Sequence, residues 1–284
     1  MSRWRLVGLL ALAVILLGLK VAHDTLRPPL VRSVEFGIPG LSQGPQTSLK
    51  IALLADIHVA GPDMPPSRVE RIVEQVNALK PDLVLIAGDF VSDKRTATKH
   101  YPVADAIAPL AGLDAQYGVI AVPGNHDHWH DMPAIAAQLE ANGVALLRNQ
   151  VIERAGFTIG GLDDDFTGRA DVKAILAASE ATDSPKLVLS HSPDPFPHLP
   201  QEFGIMLAGH THCGQIGWPW GGSPATMSKY GQRYACGIVE EKGNTLVTSG
   251  GIGTSVLPLR LFTQPEIWLI TLKPDRRQGA APAR

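Results

Sequence analysis

Cysteine and aromatic residues are scarce in this sequence, and charge of neither sign dominates. Among 284 residues there are two cysteines, and aromatic side chains make up 6%. Two cysteines, Cys213 and Cys236, are too few for a disulfide framework or a cysteine-rich zinc module. We interpret them as free thiols, which are compatible with either an oxidising or a reducing compartment.

The net charge of the chain limits the classes of partner that it can bind. The 25 Lys and Arg residues against 27 Asp and Glu residues give a net charge of −2. Because nucleic-acid binding requires a basic surface, the sequence predicts no nucleic-acid partner. Apolar residues make up 45% of the chain, which excludes a disordered or fibrous protein. The length allows one or two domains.

The chain begins with its one long hydrophobic run, from Leu6 to Leu19, preceded by Arg3 and Arg5. The run is shorter than the roughly 20 residues of a typical membrane span, but Lys20 can extend it by snorkelling. No clear small-x-small cleavage site follows it. We therefore predict an uncleaved anchor, with a cleaved signal peptide and a buried helix as alternatives. Positive charges flank the run on both sides, so its orientation is undecided.

The whole chain divides into three parts. Residues 1–32 are predicted to be the anchor and the start of a linker, and the Gly- and Pro-rich residues 37–48 continue that linker. Residues 49–272 form one body, and residues 273–284 are predicted to be a disordered tail. Within the body, buried strands alternate with helices early, and strands predominate late. This order predicts an α/β layered fold with mixed sheets.

Polar side chains that can bind metals follow five of the predicted buried strands. The five groups are Asp56-Ile57-His58, Gly88-Asp89, Gly124-Asn125-His126-Asp127, His191 and Gly209-His210-Thr211-His212. In layered α/β folds, ligand sites lie at the carboxyl ends of the strands, so these groups are expected to meet in one crevice. Carboxylate, amide and imidazole ligands suit Mn²⁺, Fe²⁺ or Zn²⁺, and their number suits two ions that share a carboxylate. Any one of these groups alone would be read as a solvated loop.

This ordered series resembles the calcineurin-like metallophosphoesterase superfamily. Four further segments are similar to its membrane-associated YkuE/YaeI-type bacterial phosphodiesterase branch. They are Leu147-Arg-Asn149, Gly161-Leu-Asp-Asp164, His191-Ser-Pro-Asp-Pro-Phe196 and Gly209 to Gln215. The resemblance implies a four-layer αββα sandwich, in which two mixed sheets are flanked by helices, together with an N-terminal membrane-anchor helix.

The resemblance also implies a role for each residue of the site. Asp56, His58 and His212 are expected to bind the first metal ion, and Asp89 to bridge the two ions. Asn125, His191 and His210 are expected to complete the second site. The implied cofactors are two divalent ions, with manganese favoured over iron or zinc. His126 is expected to contact the phosphoryl or leaving oxygen while a metal-bridging hydroxide attacks phosphorus.

Two positions depart from the family pattern. Cys213 stands where glycine usually follows the last histidine. Ser92 stands where many members have an aspartate that orients the catalytic histidine. Asp127 and Asp93 are therefore the candidates for orienting His126.

Further residues are weaker candidates for contacting substrate. They are His128, Trp129, His130, Asp163, Asp164, Trp218 and Trp220. Two aromatic side chains shortly after the last ligands could stack a base, meet acyl chains or cap the sheet.

The function predicted from these features is hydrolysis of a phosphodiester or pyrophosphate at the inner membrane of a bacterium. The side of the membrane is undecided. The anchor favours a lipid or nucleotide-sugar-lipid substrate such as UDP-2,3-diacylglucosamine. The alternatives are an inactive scaffold with the same fold and a metal-dependent nuclease.

Overall fold

The computed structural model describes residues 2–39 and 48–275. Most of the predicted linker and the predicted tail beyond Asp275 lie outside these residues. The helices are α1 (Arg3–Leu26), α2 (Pro66–Ala78), α3 (Val103–Ile107), α4 (Asn125–His130), α5 (Met132–Ala141) and α6 (Val172–Ser179). The strands are β1 (Leu30–Ile38), β2 (Leu49–Leu54), β3 (Leu83–Ala87), β4 (Val119–Val122), β5 (Val144–Leu146), β6 (Gln150–Arg154), β7 (Phe157–Gly161), β8 (Lys186–Leu189), β9 (Ile205–Ala208), β10 (Gly237–Glu241), β11 (Asn244–Thr248) and β12 (Glu266–Pro274).

The strands form two six-stranded sheets, and both sheets are mixed. The first has the order β1-β12-β2-β3-β4-β5, and the second has the order β10-β11-β9-β8-β7-β6. In the first sheet, β2, β3 and β4 run parallel, whereas β12 is antiparallel to β2. In the second, β7, β8 and β9 run parallel. The carboxyl ends of three neighbouring strands therefore meet at one edge of each sheet.

Apolar side chains hold the sheets face to face. Leu53 and Leu85 of the first sheet share a buried cluster with Leu187 and Leu207 of the second. A separate cluster packs α2, α3 and α5 onto the outer face of the first sheet. A third packs Ile175 of α6 against the second sheet. These layers confirm the predicted arrangement of two mixed sheets flanked by helices.

Strand β1 was not predicted from the sequence. It pairs with β12 in parallel over its whole length, from Leu30 opposite Glu266 to Ile38 opposite Pro274. Residues 30–38, placed in the anchor and linker by the sequence, therefore form an edge strand, and the last strand includes Lys273 and Pro274. The alternation of Val34, Phe36 and Ile38 with Glu35 and Gly37 is typical of a half-buried strand, but the Gly- and Pro-rich residues that follow favoured a linker.

Helix α1 projects from the body except at its last turns, which are docked. The side chains of Asp24 and Thr25 are buried there. The Asp24 carboxylate accepts a hydrogen bond from the Phe262 amide at 2.9 Å, and the Thr25 hydroxyl accepts one from the Arg260 amide at 2.7 Å. In the described part of the chain, α1 is the one helix whose length and composition allow it to cross a membrane, a test that signal sequences also pass.

A truncation series tests this docking. Deleting residues 2–19 removes the apolar run and leaves the docked turns. Deleting residues 1–32 also removes Asp24 and Thr25, which accept hydrogen bonds from Arg68, Arg260 and Phe262. Losing three such hydrogen bonds at about 1 kcal/mol each should lower the melting temperature by on the order of 10 °C. Thermal melts of the two truncated chains make the comparison. Equal melting temperatures would contradict a structural role for these turns.

The two cysteines are not free thiols, contrary to the interpretation from the sequence. Cys213 and Cys236 form a disulfide, with their Cα atoms 4.8 Å apart. Their separation of 23 residues gave no sign of pairing, because the contact depends on how the loop after His212 folds back. The disulfide fixes the segment that directly follows the last predicted metal ligand.

Candidate metal centre

Five strand ends bring the predicted metal ligands together. Asp56 and His58 follow β2, Asp89 follows β3, and Asn125 follows β4. From the second sheet, His191 follows β8, and His210 and His212 follow β9. All seven side chains are buried. The sandwich therefore places ligands from both sheets at a common edge, as expected for ligand sites in layered α/β folds.

The first group of donor atoms comprises Asp56, His58 and His212. The Nε2 atoms of His58 and His212 lie 3.1 Å apart. The His212 Nε2 atom is also 3.5 Å from the Asp56 carboxylate. These three side chains face one another closely enough to share one ion.

The second group comprises Asp89, Asn125, His191 and His210. The Nε2 atom of His191 lies 3.1 Å from the Asn125 side-chain oxygen and 3.1 Å from Nδ1 of His210. The other ring nitrogen of His191 is 2.7 Å from the Ala87 carbonyl oxygen, so it can donate there and leave Nε2 as a ligand.

Asp89 lies between the two groups. Its Oδ2 atom is 3.4 Å from Nε2 of His58 and 3.2 Å from Nε2 of His191. Its Oδ1 atom accepts a hydrogen bond from the His126 amide at 2.9 Å. A carboxylate oxygen that faces a histidine from each group is placed to serve two ions.

The chemistry of the donor atoms fits divalent ions. Pairs of imidazole nitrogens 3.1 Å apart cannot both carry protons that point at each other, and a shared cation removes this conflict. The set contains nitrogen and oxygen donors without thiolate, which suits manganese, iron or zinc.

Burial sets the protonation of three of the four histidines predicted to bind metal. It lowers the pKa of His58 and of His212 well below the ordinary range, and it lowers the pKa of His210 to about 3. These imidazoles are therefore neutral, as metal ligands must be. For His191, burial also acts to lower the pKa, but the Asp89 carboxylate outweighs it and raises the pKa well above its ordinary value.

The backbone at the ligands adopts a sparsely populated conformation. Five of the seven predicted ligands have φ in the left-handed region: Asp56, His58, Asp89, His210 and His212. Such strain is concentrated at functional sites. Position 124 requires glycine, because the Asp89 carboxylate packs against it and a Cβ atom there would lie 2.2 Å from that carboxylate.

A buried arginine supports the centre, and the sequence gave no sign of it. Arg260 is fully buried and donates to the carbonyl oxygens of Gly250 and Gly253 at 2.7 and 2.6 Å. One of its Nη atoms also lies 3.3 Å from Nδ1 of His212. The loop it holds packs on the first group, since a Cβ atom at Gly251 would lie 2.6 Å from that of Asp56.

His126 stands at the rim of the centre, and Asp93 orients it. Nδ1 of His126 hydrogen-bonds with the Asp93 carboxylate, and Nε2 lies 3.4 Å from the Ser255 hydroxyl. The other candidate, Asp127, accepts hydrogen bonds from the amides of Asp89, Phe90 and Gly124 instead. Asp127 therefore shapes the loop, whereas Asp93 contacts the imidazole.

A cavity of about 330 Å³ opens above the donor atoms. Asp89, Asn125, His210 and His212 form its polar floor, with His126 at the side. Its walls are largely apolar, and are formed by Trp129, Phe166, Ile216, Met227, Val256 and Leu257. The arrangement suits a molecule with a charged group and an apolar part.

The structure does not bring the predicted substrate residues together in one place. Of these residues, Trp129 lines the cavity above the metal ligands. His128 and His130 line a separate cavity behind α4, where Nε2 of His128 lies 2.6 Å from the Asp163 carboxylate. Asp164 is buried and accepts from the amides of Phe166 and Thr167, so it supports the loop that carries Phe166.

Trp218 and Trp220 lie away from this cavity. Their rings stack with centroids 5.6 Å apart, and Trp220 is 80% exposed. Trp218 lines a third cavity beside the last turns of α1.

Comparison with known proteins agrees with this geometry. Residues 49–214 match the calcineurin-like phosphoesterase family. The chain belongs to this family. It is 32% identical to an uncharacterized metallophosphoesterase of Helicobacter pylori over 81% of this chain and 61% of that protein. It is 31% identical to the uncharacterized metallophosphoesterase YkuE of Bacillus subtilis over 72% of each chain. The predicted family and YkuE-type branch are thus confirmed.

Some other relatives of the chain are described as transmembrane proteins. A zebrafish transmembrane protein with a metallophosphoesterase domain is 29% identical over 87% of this chain and 58% of its own length. The chain therefore spans about three fifths of several of the relatives it matches. Among solved structures, a 5'-nucleotidase precursor from Thermus thermophilus aligns with a TM-score of 0.47 at 15% identity, covering 79% of this chain and 55% of the nucleotidase.

Metal uptake by the seven donor side chains should depend on pH. Burial, together with the nearby Asp89 carboxylate, raises the pKa of Asp56 to about 7. With the raised pKa of His191, this means that the metal-free protein holds protons that an entering ion must displace. We expect Mn²⁺ to bind more tightly as pH rises through about 7, with release of protons. Calorimetry in two buffers of different ionisation enthalpy counts these protons. An affinity independent of pH would contradict this protonation.

Proposed function

We propose that the chain is a membrane-anchored hydrolase that cleaves phosphodiesters or pyrophosphates with two divalent ions. In this proposal Asp56, His58 and His212 hold one ion, and Asn125, His191 and His210 hold the other. Asp89 serves both. The single observation that carries the proposal is the convergence of seven buried oxygen and nitrogen donors beneath an open cavity. Retention of the full donor set supports an enzyme over an inactive scaffold.

The ions and the protein have different tasks. Two divalent ions held there would supply the Lewis acidity that activates water and neutralises a phosphoryl group. His126 acts on the leaving group: the Asp93 carboxylate holds its Nδ1, so Nε2 faces the cavity and can donate a proton. Asp93 keeps the ring in that orientation by the same contact.

The walls of the cavity support an amphipathic substrate. Val256 is 70% exposed and Met227 is 57% exposed, so the apolar lining continues onto the surface around the opening. The apolar helix α1 is docked to the same body and belongs in a bacterial inner membrane in this proposal. We infer a phosphoester that carries an apolar group and is presented from the bilayer.

The disulfide is evidence for the side of the membrane on which the body lies. Disulfides persist in oxidising compartments and are rare in the cytosol. The pairing of Cys213 with Cys236 thus supports a body on the extracytoplasmic side. On that side a phospholipid-type phosphodiester is favoured over UDP-2,3-diacylglucosamine, which is a cytoplasmic intermediate.

The test uses the full chain in detergent, stripped of metal and reloaded with Mn²⁺. Its substrates are bis-p-nitrophenyl phosphate, p-nitrophenyl phosphate, phosphatidylglycerol and UDP-2,3-diacylglucosamine. We expect hydrolysis of the chromogenic diester to exceed that of the monoester, with phosphatidylglycerol cleaved in preference to the nucleotide lipid. Efficient cleavage of the nucleotide lipid alone would overturn the extracytoplasmic assignment. If the metal-loaded protein hydrolyses none of these substrates, the proposal that it is a hydrolase is wrong.

A further inference from the structure

A second cavity lies where the last turns of α1 meet the body. It has a volume of about 550 Å³, and none of the seven predicted metal ligands lines it. Its lining includes Lys20, Arg27, Arg32, Trp218, Phe262 and Gln264, and the carboxylates of Asp24 and Glu266 also line it. Three of the lining residues are cations, which come from α1, from the turn that ends it and from β1.

The anchor sets the level of this cavity relative to a bilayer. Lys20 is the first charged residue after the apolar run, and Arg27 caps the helix seven residues later, about 10 Å further along the axis. Hydrogen bonds from Phe262 and Arg260 fix the same turns to the body. With α1 in a membrane, the cavity therefore lies at the level of the lipid headgroups.

One of the three cations is available to a ligand. Lys20 pairs with Asp24, and Arg32 pairs with Glu266. Within residues 2–39 and 48–275, the Arg27 guanidinium has no hydrogen-bond or ion-pair partner, and the residue is half-buried. A half-buried guanidinium that faces a cavity favours a phosphate oxygen as its partner.

Aromatic side chains complete the lipid-facing edge. The stacked pair of Trp218 and Trp220 stands at the side of the cavity, with Trp220 largely exposed. Phe262 lies beneath the Lys20 ammonium, which is 5.1 Å from the centre of its ring. Tryptophan is enriched at the headgroup level of membranes, where its ring is partly apolar and partly polar.

We propose that this cavity binds the phosphate headgroup of an anionic glycerophospholipid, with Arg27 as its main contact. The site is separate from the metal centre, and the bound lipid holds the body in one orientation on the bilayer. The proposal rests on the membrane anchoring described under the proposed function, but not on hydrolysis.

Short-chain lipids test this site on the full chain in detergent micelles. Melting temperature is followed while dihexanoyl phosphatidylglycerol, dihexanoyl phosphatidylcholine or inorganic phosphate is added to metal-free protein. Metal-free protein excludes turnover, so the result is independent of catalysis. We expect phosphatidylglycerol to raise the melting temperature, and the other two to leave it unchanged.

Variants that change one charge test whether the lipid binds in this cavity. Arg27→Gln should weaken the affinity for phosphatidylglycerol about 10- to 100-fold. Arg5→Gln, which removes the same charge at the opposite end of α1, should leave it unchanged. Gln264→Glu adds a negative charge to the lining and should also weaken it, which keeps the test decisive if Arg27→Gln misfolds.

Three outcomes would overturn the assignment. An equal shift with phosphatidylcholine would remove the dependence on an anionic headgroup. An equal shift with inorganic phosphate would show a free-anion site instead of a lipid site. Unchanged affinity in both folded cavity variants would place the lipid elsewhere.

Discussion

Asp89→Asn should abolish hydrolysis and lower the metal content from about two ions per chain towards zero. Asparagine has one side-chain oxygen and no charge, so it cannot serve both groups of ligands as the carboxylate between His58 and His191 does. The loss should therefore affect both ions together. Elemental analysis of the purified protein after dialysis against Mn²⁺ measures it directly.

The effect of Asp89→Asn on stability separates metal loss from misfolding. The metal-free variant should fold but melt below the metal-free parent, because it removes the buried carboxylate that pairs with His191. The rise in melting temperature caused by Mn²⁺ should disappear. Asp194→Asn is the matched control, since Asp194 is also buried but accepts from Ser228 and Lys229 away from the centre. A variant of Asp89 that still binds two ions would refute the shared-carboxylate arrangement.

His126→Ala should lower kcat by about 100- to 10,000-fold while leaving the metal content unchanged. The imidazole stands at the side of the cavity and is held by Asp93, outside the two donor groups that hold the ions in the proposed assignment. Loss of a proton donor matters most for a poor leaving group. The decrease should thus be larger for a phosphodiester with an alkyl leaving group than for bis-p-nitrophenyl phosphate.

Asp93→Asn and His198→Ala complete this comparison. Asp93→Asn should give a smaller loss than His126→Ala, because it disturbs the orientation of the ring without removing it. His198 is exposed at the end of a short turn and is not one of the candidate site residues, so His198→Ala should behave like the parent. Loss of bound Mn²⁺ in His126→Ala, or an equal decrease for both leaving groups, would show that His126 is not the proton donor.

The convergence of the candidate metal ligands could be predicted from the sequence because their surroundings are regular. Asp56, Asp89 and His191 each follow a short apolar strand that is buried in the structure. A buried strand that ends in a ligating side chain is visible without knowledge of the fold, and five in order made the family recognisable. The layered arrangement follows from the same alternation of strands and helices.

Other parts of the centre depend on contacts between distant segments, so the sequence did not reveal them. Arg260 acts through the carbonyl oxygens of a glycine-rich loop, and an isolated arginine after a loop has no distinguishing pattern. The choice of Asp93 over Asp127 required the path of the backbone. The docking of Thr25 and the pairing of Cys213 with Cys236 are likewise long-range contacts.

The most direct test is anomalous diffraction from crystals of the full chain loaded with Mn²⁺. We expect two manganese peaks, one on each side of the Asp89 carboxylate. The first should contact Asp56, His58 and His212, and the second Asn125, His191 and His210. A single peak, or peaks that do not share Asp89, would contradict the two-ion centre.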